Sequence, residues 1–328
     1  MSPSPLRWGL LSTARINRAL IPPLRKSPRN RLAAVASRSP QKAQEYACQW
    51  DIPRAHGSYE DLLADPEIDV IYNSLPNALH AEWTIRAAQA GKHVLCEKPL
   101  ALTLDEVDAI AAAAQKAGVV VAEAFMYRHH PQTLQARELL ASGAIGPLQR
   151  VRGAFTFFLE RPGDVRWDPA RGGGSLWDVG CYPVSYARTV LAAEPVEVFG
   201  WQTLAPSGVD AAFVGQLRFP GGQMAQFDCG FRSPFRAEIE IVGEGGRLIV
   251  QNPFKPGAGE QLRLIRNDGR EQLIPVAGQD LYLGEVEDLA DAVLLGKLPR
   301  VSLADSRANV AALLALYQSA RSGQPVTL

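Results

Sequence analysis

An aspartate and a tyrosine stand four residues apart, at Asp178 and Tyr182, just after the glycine triplet Gly172–Gly174. A helical turn places residues at this spacing on one face. A phenol can give a proton to the alkoxide that forms when a carbonyl is reduced. Its ordinary pKa of about 10 makes it a sluggish base, unless an adjacent ammonium lowers that pKa by roughly 1–3 units. The pair therefore indicates acid–base chemistry at a carbon–oxygen bond, with a packed core tyrosine as the alternative.

A lysine that could supply this positive charge follows a short apolar run, in Cys96-Glu-Lys-Pro99. We predict a strand over 93–96, and ligands of open parallel sheets bind beyond the carboxyl ends of the strands. The proline stiffens the turn, because it pushes the residue before it toward an extended conformation. We predict Tyr182 as general acid/base, Lys98 as its electrostatic partner and a hydrogen-bond donor to substrate, and Asp178 as the group that orients a substrate hydroxyl. In a second version of this site, Lys98 itself transfers the proton.

Short β-rich runs alternate with helical patterns up to residue 124, which is typical of right-handed βαβ units around a parallel sheet. We predict a dinucleotide-binding domain over 1–124. Pro22-Pro23 is expected to end or bend its first helix, which begins near Thr13. The predicted strands are 6–11, 32–36, 69–74, 93–96 and 119–124, and the later helices begin at Ser39-Pro40, at Asn77 as a cap, and at the capping box Thr103–Glu106, ending near Trp50, Gly91 and Gly118.

A different pattern begins near Leu148, where the sequence becomes rich in strand signals. Hairpin turns are indicated at Pro220-Gly-Gly222 and Asn267-Asp-Gly269. Helical patterns return near 176–191, 285–295 and 304–320. We therefore predict a second domain over 125–328, of the α+β class with a mostly antiparallel sheet.

One strand of this second domain, Phe155-Thr-Phe-Phe-Leu159, directs apolar side chains to both of its faces. One face can pack on helices of its own domain, whereas the other needs a different cover. A partner subunit would supply that cover, so we predict a homo-oligomer, with a dimer preferred.

The loop after the first predicted strand, Gly9-Leu-Leu-Ser-Thr-Ala14, lies where βαβ domains bind a dinucleotide pyrophosphate. Backbone N–H groups and the positive end of the following helix attract the phosphates. Gly9 would permit a tight turn, but a serine stands where the usual fingerprint has its next glycine, so an ordinary βα turn is the alternative. We expect cofactor contacts from Gly9, Ser12, Thr13, Ala14, Arg15 and Ile16.

The residues at the end of the second strand decide the coenzyme. An NAD site has an Asp or Glu there that binds the ribose 2′-hydroxyl, but this sequence has Ser37-Arg38, with Lys42 one helical turn on. The arginine fork suits a 2′-phosphate. We expect NADP(H), with NAD(H) as the alternative. Further predicted cofactor contacts are Ser74, Leu75, Pro76, Asn77, His80, Glu97 and Lys98, although His80 could instead be a plain helix residue.

Composition excludes several classes of partner. The 328 residues include 34 Lys+Arg and 34 Asp+Glu, and this zero balance does not support a nucleic-acid or anionic-membrane partner. Runs of about 18 apolar residues are lacking, so we predict no membrane span, and we expect no signal peptide. The four cysteines stand singly, which indicates free thiols and a cytoplasmic location. The pair His129-His130 lacks a third ligand at helical spacing, so we predict no metal site.

Several of these motifs together resemble the glucose–fructose oxidoreductase / inositol dehydrogenase / MocA family, over nearly the whole chain. The motifs are Gly91-Lys-His-Val-Leu95, Glu97-Lys-Pro99, Glu123-Ala-Phe-Met-Tyr-Arg128, Gly172-Gly-Gly-Ser-Leu-Trp-Asp-Val-Gly-Cys-Tyr182-Pro and Ile241-Val-Gly-Glu-Gly-Gly-Arg-Leu248. The resemblance implies an N-terminal Rossmann domain and a C-terminal domain with an open sheet. It also implies a homo-oligomer and reversible hydride transfer at a sugar or sugar-like carbinol.

Tyrosine at 182 is similar to glucose–fructose oxidoreductase, the dimeric dihydrodiol dehydrogenases, the NADP-dependent xylose dehydrogenases and some nucleotide-sugar ketoreductases, whereas the inositol dehydrogenases have histidine there. This favours an oxidoreductase for a sugar, a sugar derivative or a vicinal diol. A cofactor-binding sensor without turnover is the alternative, against which the presence of both Lys98 and Tyr182 argues. Predicted substrate contacts also include Arg128, for which an interdomain salt bridge is the alternative, Trp167, whose ring suits the apolar face of a sugar, and Tyr282, on the resemblance alone.

Overall fold

The structure is a computed structural model and describes residues 4–328. The chain forms two compact units: the first runs to His129 and includes Tyr282–Arg307, and the second consists of His130–Leu281 and Ala308–Leu328. No pattern in the sequence indicated that a late segment returns to the first unit. The predicted domain ranges, 1–124 and 125–328, remain predictions, because compactness alone does not show which part folds independently.

A parallel sheet forms the centre of the first unit. Its strands are β1 (Leu6–Leu10), β2 (Asn30–Ala36), β3 (Arg54–His56), β4 (Val70–Asn73), β5 (His93–Glu97) and β6 (Val121–Ala124). All neighbours are parallel, in the order β3-β2-β1-β4-β5-β6. This is the doubly wound order, in which the strand sequence reverses beside β1 and leaves a crevice at the carboxyl ends. The predicted Rossmann fold is confirmed.

The helices begin and end at residues with local reasons to do so. They are α1 (Asn17–Lys26), α2 (Pro40–Gln49), α3 (Tyr59–Ala64), α4 (His80–Gln89), α5 (Leu104–Ala117), α6 (Pro131–Ala141), α7 (Cys181–Leu191), α8 (Leu283–Leu295) and α9 (Leu303–Ser322). The Ser39 side chain accepts from the third N–H of α2, with proline in the first position, and Thr103 and Glu106 form a capping box on α5. Both caps confirm the predictions made from local sequence.

Two local predictions differ from the structure, and two short elements were not predicted. α1 begins at Asn17 and continues through Pro22-Pro23, with Ser27 N still donating to Pro23 O, so the prolines do not end it. Asn77 does not cap α4 but begins a 3₁₀ turn that precedes it. The short β3 and α3 were not predicted, because elements of three and six residues carry too little periodicity to detect.

The second unit is built on a mixed sheet. Its strands are β7 (Leu148–Phe158), β8 (Glu197–Leu204), β9 (Asp210–Arg218), β10 (Met224–Gly230), β11 (Arg232–Gly243), β12 (Gly246–Gln251), β13 (Gln261–Arg266), β14 (Glu271–Pro275) and β15 (Val326–Thr327). The order is β14-β13-β12-β11-β7-β10-β9-β8-β15, and of these pairs only β10 and β7 run parallel within the described residues. The two predicted turns join β9 to β10 and β13 to β14. The predicted mostly antiparallel sheet is confirmed.

The two faces of this sheet differ in burial. A cross-strand row on one face is almost wholly buried: Val198, Leu217, Ala225, Val151, Ile241 and Leu248 are each at most 4% exposed. The opposite row holds Trp201, Val214, Asp228, Ala154 and Glu238; Ala154 is buried, whereas Trp201 is 56% exposed. We call this second row and its neighbours the open face. No helix within residues 4–328 is both long and apolar enough to cross a bilayer.

Candidate functional site

The loop between β1 and α1 is fastened to the end of β4. Leu11 N donates to Tyr72 O at 3.0 Å, and the hydroxyls of Ser12 and Ser74 lie 2.9 Å apart. The buried Asn17 donates through Nδ2 to Ser12 O at 2.6 Å. Ser12 is therefore an anchor of the loop, and its hydroxyl occupies space where the usual fingerprint has a glycine.

Gly9 lies inside β1 rather than in the turn after it, so the predicted tight turn does not explain why a glycine stands there. A Cβ at this position would lie 2.9 Å from Leu62 Cδ1 and 3.3 Å from Ile68 Cγ2. Close packing of Leu62, which lies on α3, against β1 therefore explains the glycine. Contact of Gly9 with a cofactor stays a prediction.

The start of α1 fits an anionic group. Its first residue follows Ile16, which supplies no side-chain cap, and its first turn contains no acidic residue. Asn17 N and Ala19 N already donate to Ala14 O and Ile16 O, so the fit rests on the positive potential of the helix N-terminus, which attracts phosphates at this point of the fold. Thr13, Ala14 and Ile16 are half-buried, and Arg15 is exposed. The residues present therefore fit a dinucleotide pyrophosphate.

Positive side chains lie at the end of β2. Ser37 N donates to His56 O at 3.1 Å, and the Ser37 hydroxyl accepts from Ser39 N at 3.3 Å, which shapes the turn. Arg38 and Lys42 are exposed beyond it. The Arg38 guanidinium opposes the upward shift that burial gives to the pKa of Tyr59, so the two side chains are neighbours. This donor set fits a ribose 2′-phosphate.

His80 links the loop after β4 to the turn that contains Lys98 and Pro99. Its Nδ1 lies 2.7 Å from Pro99 O and its Nε2 lies 2.8 Å from Leu75 O, and the ring is fully buried. Burial lowers the pKa of His80. The histidine therefore positions the two loops, and its direct contact with a cofactor stays a prediction, as for Ser74, Pro76 and Asn77.

The end of β5 carries Glu97 and Lys98, as predicted, at the carboxyl edge of the sheet. Tyr72 Oη donates to Glu97 Oε1 at 2.5 Å, and Leu100 N donates to Glu123 Oε1 at 2.8 Å. The Lys98–Pro99 bond is cis. Before the turn the Glu97 side chain is held by Tyr72, and after it the Glu123 carboxylate binds the Leu100 backbone, so the segment from which the lysine extends is ordered on both sides.

In the second unit, Asp178 and Tyr182 lie on one continuous helical segment. A π-helix over Leu176–Gly180 leads directly into α7, and Tyr182 is the second residue of α7. The Tyr182 ring is 4% exposed and packs edge-on against Phe155, with centroids 5.3 Å apart, and against Phe254. The predicted helical turn is confirmed, and the phenol is surrounded by aromatic rings within its own unit.

Asp178 is held by an arginine. Arg166 Nε donates to Asp178 Oδ2 at 2.6 Å, and Arg166 Nη1 donates to Asp164 Oδ1 at 3.2 Å. The charge of Asp178 is the main cause that raises the pKa of Arg166. Its partner twelve residues away carries no local signal, so sequence reasoning missed the pair.

The remaining predicted substrate contacts have clear surroundings. Arg128 is buried and pairs with Asp305 at 2.9 Å, within the first unit. Trp167 is half-buried with its edge on Phe231, and Tyr282 is 8% exposed just before α8. For all three, contact with substrate stays a prediction, and so does the approach of Tyr182 to Lys98. No group of three His, Cys, Asp or Glu side chains suited to a metal ion occurs within the described range.

Comparison with known proteins identifies relatives that span the whole chain. Residues 6–125 match the oxidoreductase family with an NAD-binding Rossmann fold, and residues 133–249 match the GFO/IDH/MocA C-terminal domain. The D-xylose 1-dehydrogenase (NADP(+)) 2 of Haloferax volcanii is 39% identical over 98% of this chain and 100% of that protein. The trans-1,2-dihydrobenzene-1,2-diol dehydrogenase of Danio rerio is 36% identical over 92% of each.

Solved structures give the same result. The KijD10 3-ketoreductase of Actinomadura kijaniata, in complex with NADP and TDP-benzene, has a TM-score of 0.91 and 31% identity, over 96% of this chain and 98% of that one. The aldose-aldose oxidoreductase of Caulobacter crescentus, complexed with glycerol, has a TM-score of 0.92 and 29% identity, over 99% and 100%. Both halves of the chain therefore agree, and the protein belongs to the Gfo/Idh/MocA family of NAD(P)-dependent oxidoreductases.

Proposed function

We propose that this chain is an NADP(H)-dependent oxidoreductase that transfers hydride to or from a carbinol carbon of a sugar, a sugar derivative or a vicinal diol. The observations that carry the proposal are two ordered elements, one in each unit: the turn of Lys98 at the end of β5, and the helical segment that bears Asp178 and Tyr182. The relatives named as a D-xylose dehydrogenase, a dihydrobenzenediol dehydrogenase and a 3-ketoreductase support the substrate class.

The proposed mechanism assigns one task to each side chain. A bound nicotinamide coenzyme supplies or accepts the hydride. Tyr182 gives a proton to the developing alkoxide during reduction and removes it during oxidation. Lys98 stabilises the phenolate and donates a hydrogen bond to the substrate oxygen. Arg166 holds the Asp178 carboxylate, which orients a neighbouring substrate hydroxyl. In the second version, Lys98 carries the proton itself.

The coenzyme preference is proposed from the end of β2. Arg38 and Lys42 are exposed there, and neither Ser37 nor Arg38 can act as the carboxylate that would bind a 2′-hydroxyl and repel a 2′-phosphate. Charge-assisted hydrogen bonds from a guanidinium to phosphate are stronger than those between neutral groups. The named NADP relatives agree with this preference.

The function is tested by the absorbance of NADPH with a panel of aldoses, ketoses and diols. We expect Tyr182→Phe to lower kcat by roughly 10²-fold while NADPH still binds. Tyr186→Phe, four residues on in α7, is the matched control and should keep native turnover. Unchanged kcat in Tyr182→Phe would remove the phenol from the mechanism. Tight NADPH binding without turnover of any compound would favour the sensor instead.

We also propose a homo-oligomer, preferably a dimer, that covers the open face. Trp201 and Phe158 are 56% and 62% exposed there. Charges of both signs lie among them, including the pair Arg236–Asp228 at 3.1 Å, so two copies can pair by a twofold axis. A cytoplasmic location remains a proposal that rests on cysteines that are all free thiols in the structure.

A further inference from the structure

A buried carboxylate lies at the start of the Asp178–Tyr182 segment. Asp210, the first residue of β9, is 2% exposed. Its Oδ2 accepts from Ser175 Oγ and from Leu176 N, each at 2.7 Å, and its Oδ1 accepts from Tyr317 Oη at 2.7 Å. A buried carboxylate is costly unless donors surround it, and here three donors do so.

The last glycine of the triplet is explained by this carboxylate. Gly174 has φ +123°, and a Cβ there would overlap Asp210 Oδ1 and lie 2.9 Å from Tyr317 Oη. The carboxylate therefore occupies the space that a side chain at 174 would need. Asp178 N donates to Gly174 O at 3.0 Å, so the same residue begins the hydrogen-bonding of the segment.

The π-helix that follows Gly174 and Ser175 makes the directions of later side chains depend on where it begins. Residues 176–180 form a π-helix, in which each turn takes more residues than an α-helix and rotates the residues after it. The directions of Asp178 and Tyr182 therefore depend on where the wide turn starts. Asp210 binds the first backbone N–H of that turn, at Leu176, and the side chain before it, at Ser175.

We propose that Asp210, held by Tyr317, is a positioning residue that fixes the start of the 175–182 segment and so sets the positions of Asp178 and Tyr182. The catalytic part of this inference rests on the proposed function of those two residues. Asp210 is buried and binds Ser175 Oγ and Leu176 N, so its effect on Asp178 and Tyr182 passes through the segment itself. The structural part, the ordering of the segment, does not depend on any activity.

The experiment uses three variants of the full chain. Asp210→Ala removes all three hydrogen bonds. Asp210→Asn is the conservative rescue, because its oxygen can still accept from Ser175 and Leu176 while its amide donates to Tyr317 Oη. Tyr317→Phe removes one hydrogen bond and keeps the ring, so it serves if Asp210→Ala does not fold. Ser319→Ala is the matched control, since Ser319 is buried and links Gly200 N to Gln324 O within the same unit.

Two readouts separate order from activity. We expect Asp210→Ala to speed amide exchange at 175–182 about 10-fold or more, because an opening equilibrium there loses its anchor. Its kcat should fall about 10-fold or more, since small displacements of reacting groups are costly. The dissociation constant of NADPH should stay within about twofold, and Asp210→Asn should recover most of the kcat. Tyr317→Phe should shift both readouts in the same direction by less, and Ser319→Ala should leave both unchanged.

The outcomes are distinct. Native exchange at 175–182 in Asp210→Ala, or in Tyr317→Phe if only that variant folds, would overturn the proposal. Faster exchange together with a native kcat in Asp210→Ala would overturn the positioning role in catalysis. A kcat of Asp210→Asn as low as that of Asp210→Ala would do the same. A native chain that binds NADPH but turns over no sugar or diol would remove the proposed function, while faster exchange in the variant would still support the anchoring of the segment.

Discussion

Replacing Glu285 with glutamine should stabilise the protein, and only above about pH 4.5. Glu285 lies in α8 and is 2% exposed, and neither of its carboxyl oxygens has a hydrogen-bond partner among residues 4–328. Burial, followed by the nearby charges of Glu97 and Asp288, raises the pKa of Glu285 well above its ordinary value of 4.5. The folded protein therefore keeps this carboxyl protonated at pH values where the unfolded chain ionises it.

The sign and size follow from proton linkage. Below the unfolded pKa both states are protonated, so the residue adds no pH dependence. As the pH rises further, the unfolded chain alone loses the proton, and the free energy of unfolding falls by about 1.4 kcal/mol per pH unit until the folded pKa is reached. Between the ordinary pKa and pH 6 this slope allows a loss of at most about 2 kcal/mol. Glutamine has no proton to lose and a similar shape, so Glu285→Gln should escape the loss.

The assay is urea unfolding at pH 4.5 and pH 6, followed by tryptophan fluorescence, with amide exchange in β1 and β4 reporting on the first unit. The two proteins should be equally stable at the lower pH, and the variant more stable at the higher, by at most about 2 kcal/mol. Glu287→Gln is the matched control from the same helix. Glu287 pairs with Arg29, so its loss should destabilise slightly, by about 0–1 kcal/mol. A variant no more stable than the native protein at pH 6 would refute the reasoning.

Three further changes test other parts of the molecule. Arg38→Ala should weaken the binding of NADPH about 10-fold or more and that of NADH by less than about threefold, as measured by fluorescence titration. The exposed control Arg86→Ala should change neither affinity. Equal losses of affinity for both coenzymes would overturn the NADP(H) preference. Trp201→Glu should yield monomers in analytical ultracentrifugation, because it places a charge on the open face, and an unchanged oligomer would place the interface elsewhere. Burial, with the charges of Arg300 and Arg128, lowers the pKa of His129 to about 3. The unfolded chain alone then binds a proton as the pH falls below about 6.5, so His129→Gln should flatten the acid loss of stability by about 2 kcal/mol at pH 5, and parallel native and variant curves would contradict this.

Local features of the fold could be predicted because their causes lie within a few residues. The Ser39-Pro40 cap and the Thr103–Glu106 capping box join neighbours along the chain, and so do the turns after β9 and β13. Pro22-Pro23 was misjudged, because α1 keeps its backbone bonding beyond the prolines. Short elements such as β3 were not predicted, because β3 forms by pairing with a strand that is distant in the sequence.

The candidate site likewise has residues that local sequence predicts and contacts that it does not. Lys98 follows directly from the end of a strand, and the spacing of Asp178 and Tyr182 is a local property of a helix. The residues that hold them lie farther away: Arg166 stands twelve residues before Asp178, and Asp210 lies on a strand of the sheet. Contacts of this kind depend on how the sheet is assembled, so no window of sequence contains them.

Glycine shows most clearly what a sequence can and cannot convey. Gly9 suggested a tight turn and Gly174 ends a glycine triplet, yet each is required by a neighbour that is distant in the chain. Leu62 packs where a Cβ at Gly9 would lie, and the carboxylate of Asp210 takes the place of a side chain at Gly174. A glycine in an otherwise ordinary segment therefore indicates that another group passes close by, without identifying that group. Because the group at Gly174 is an ionisable one at the start of a proposed catalytic helix, the cause of the glycine matters more here than the turn it permits.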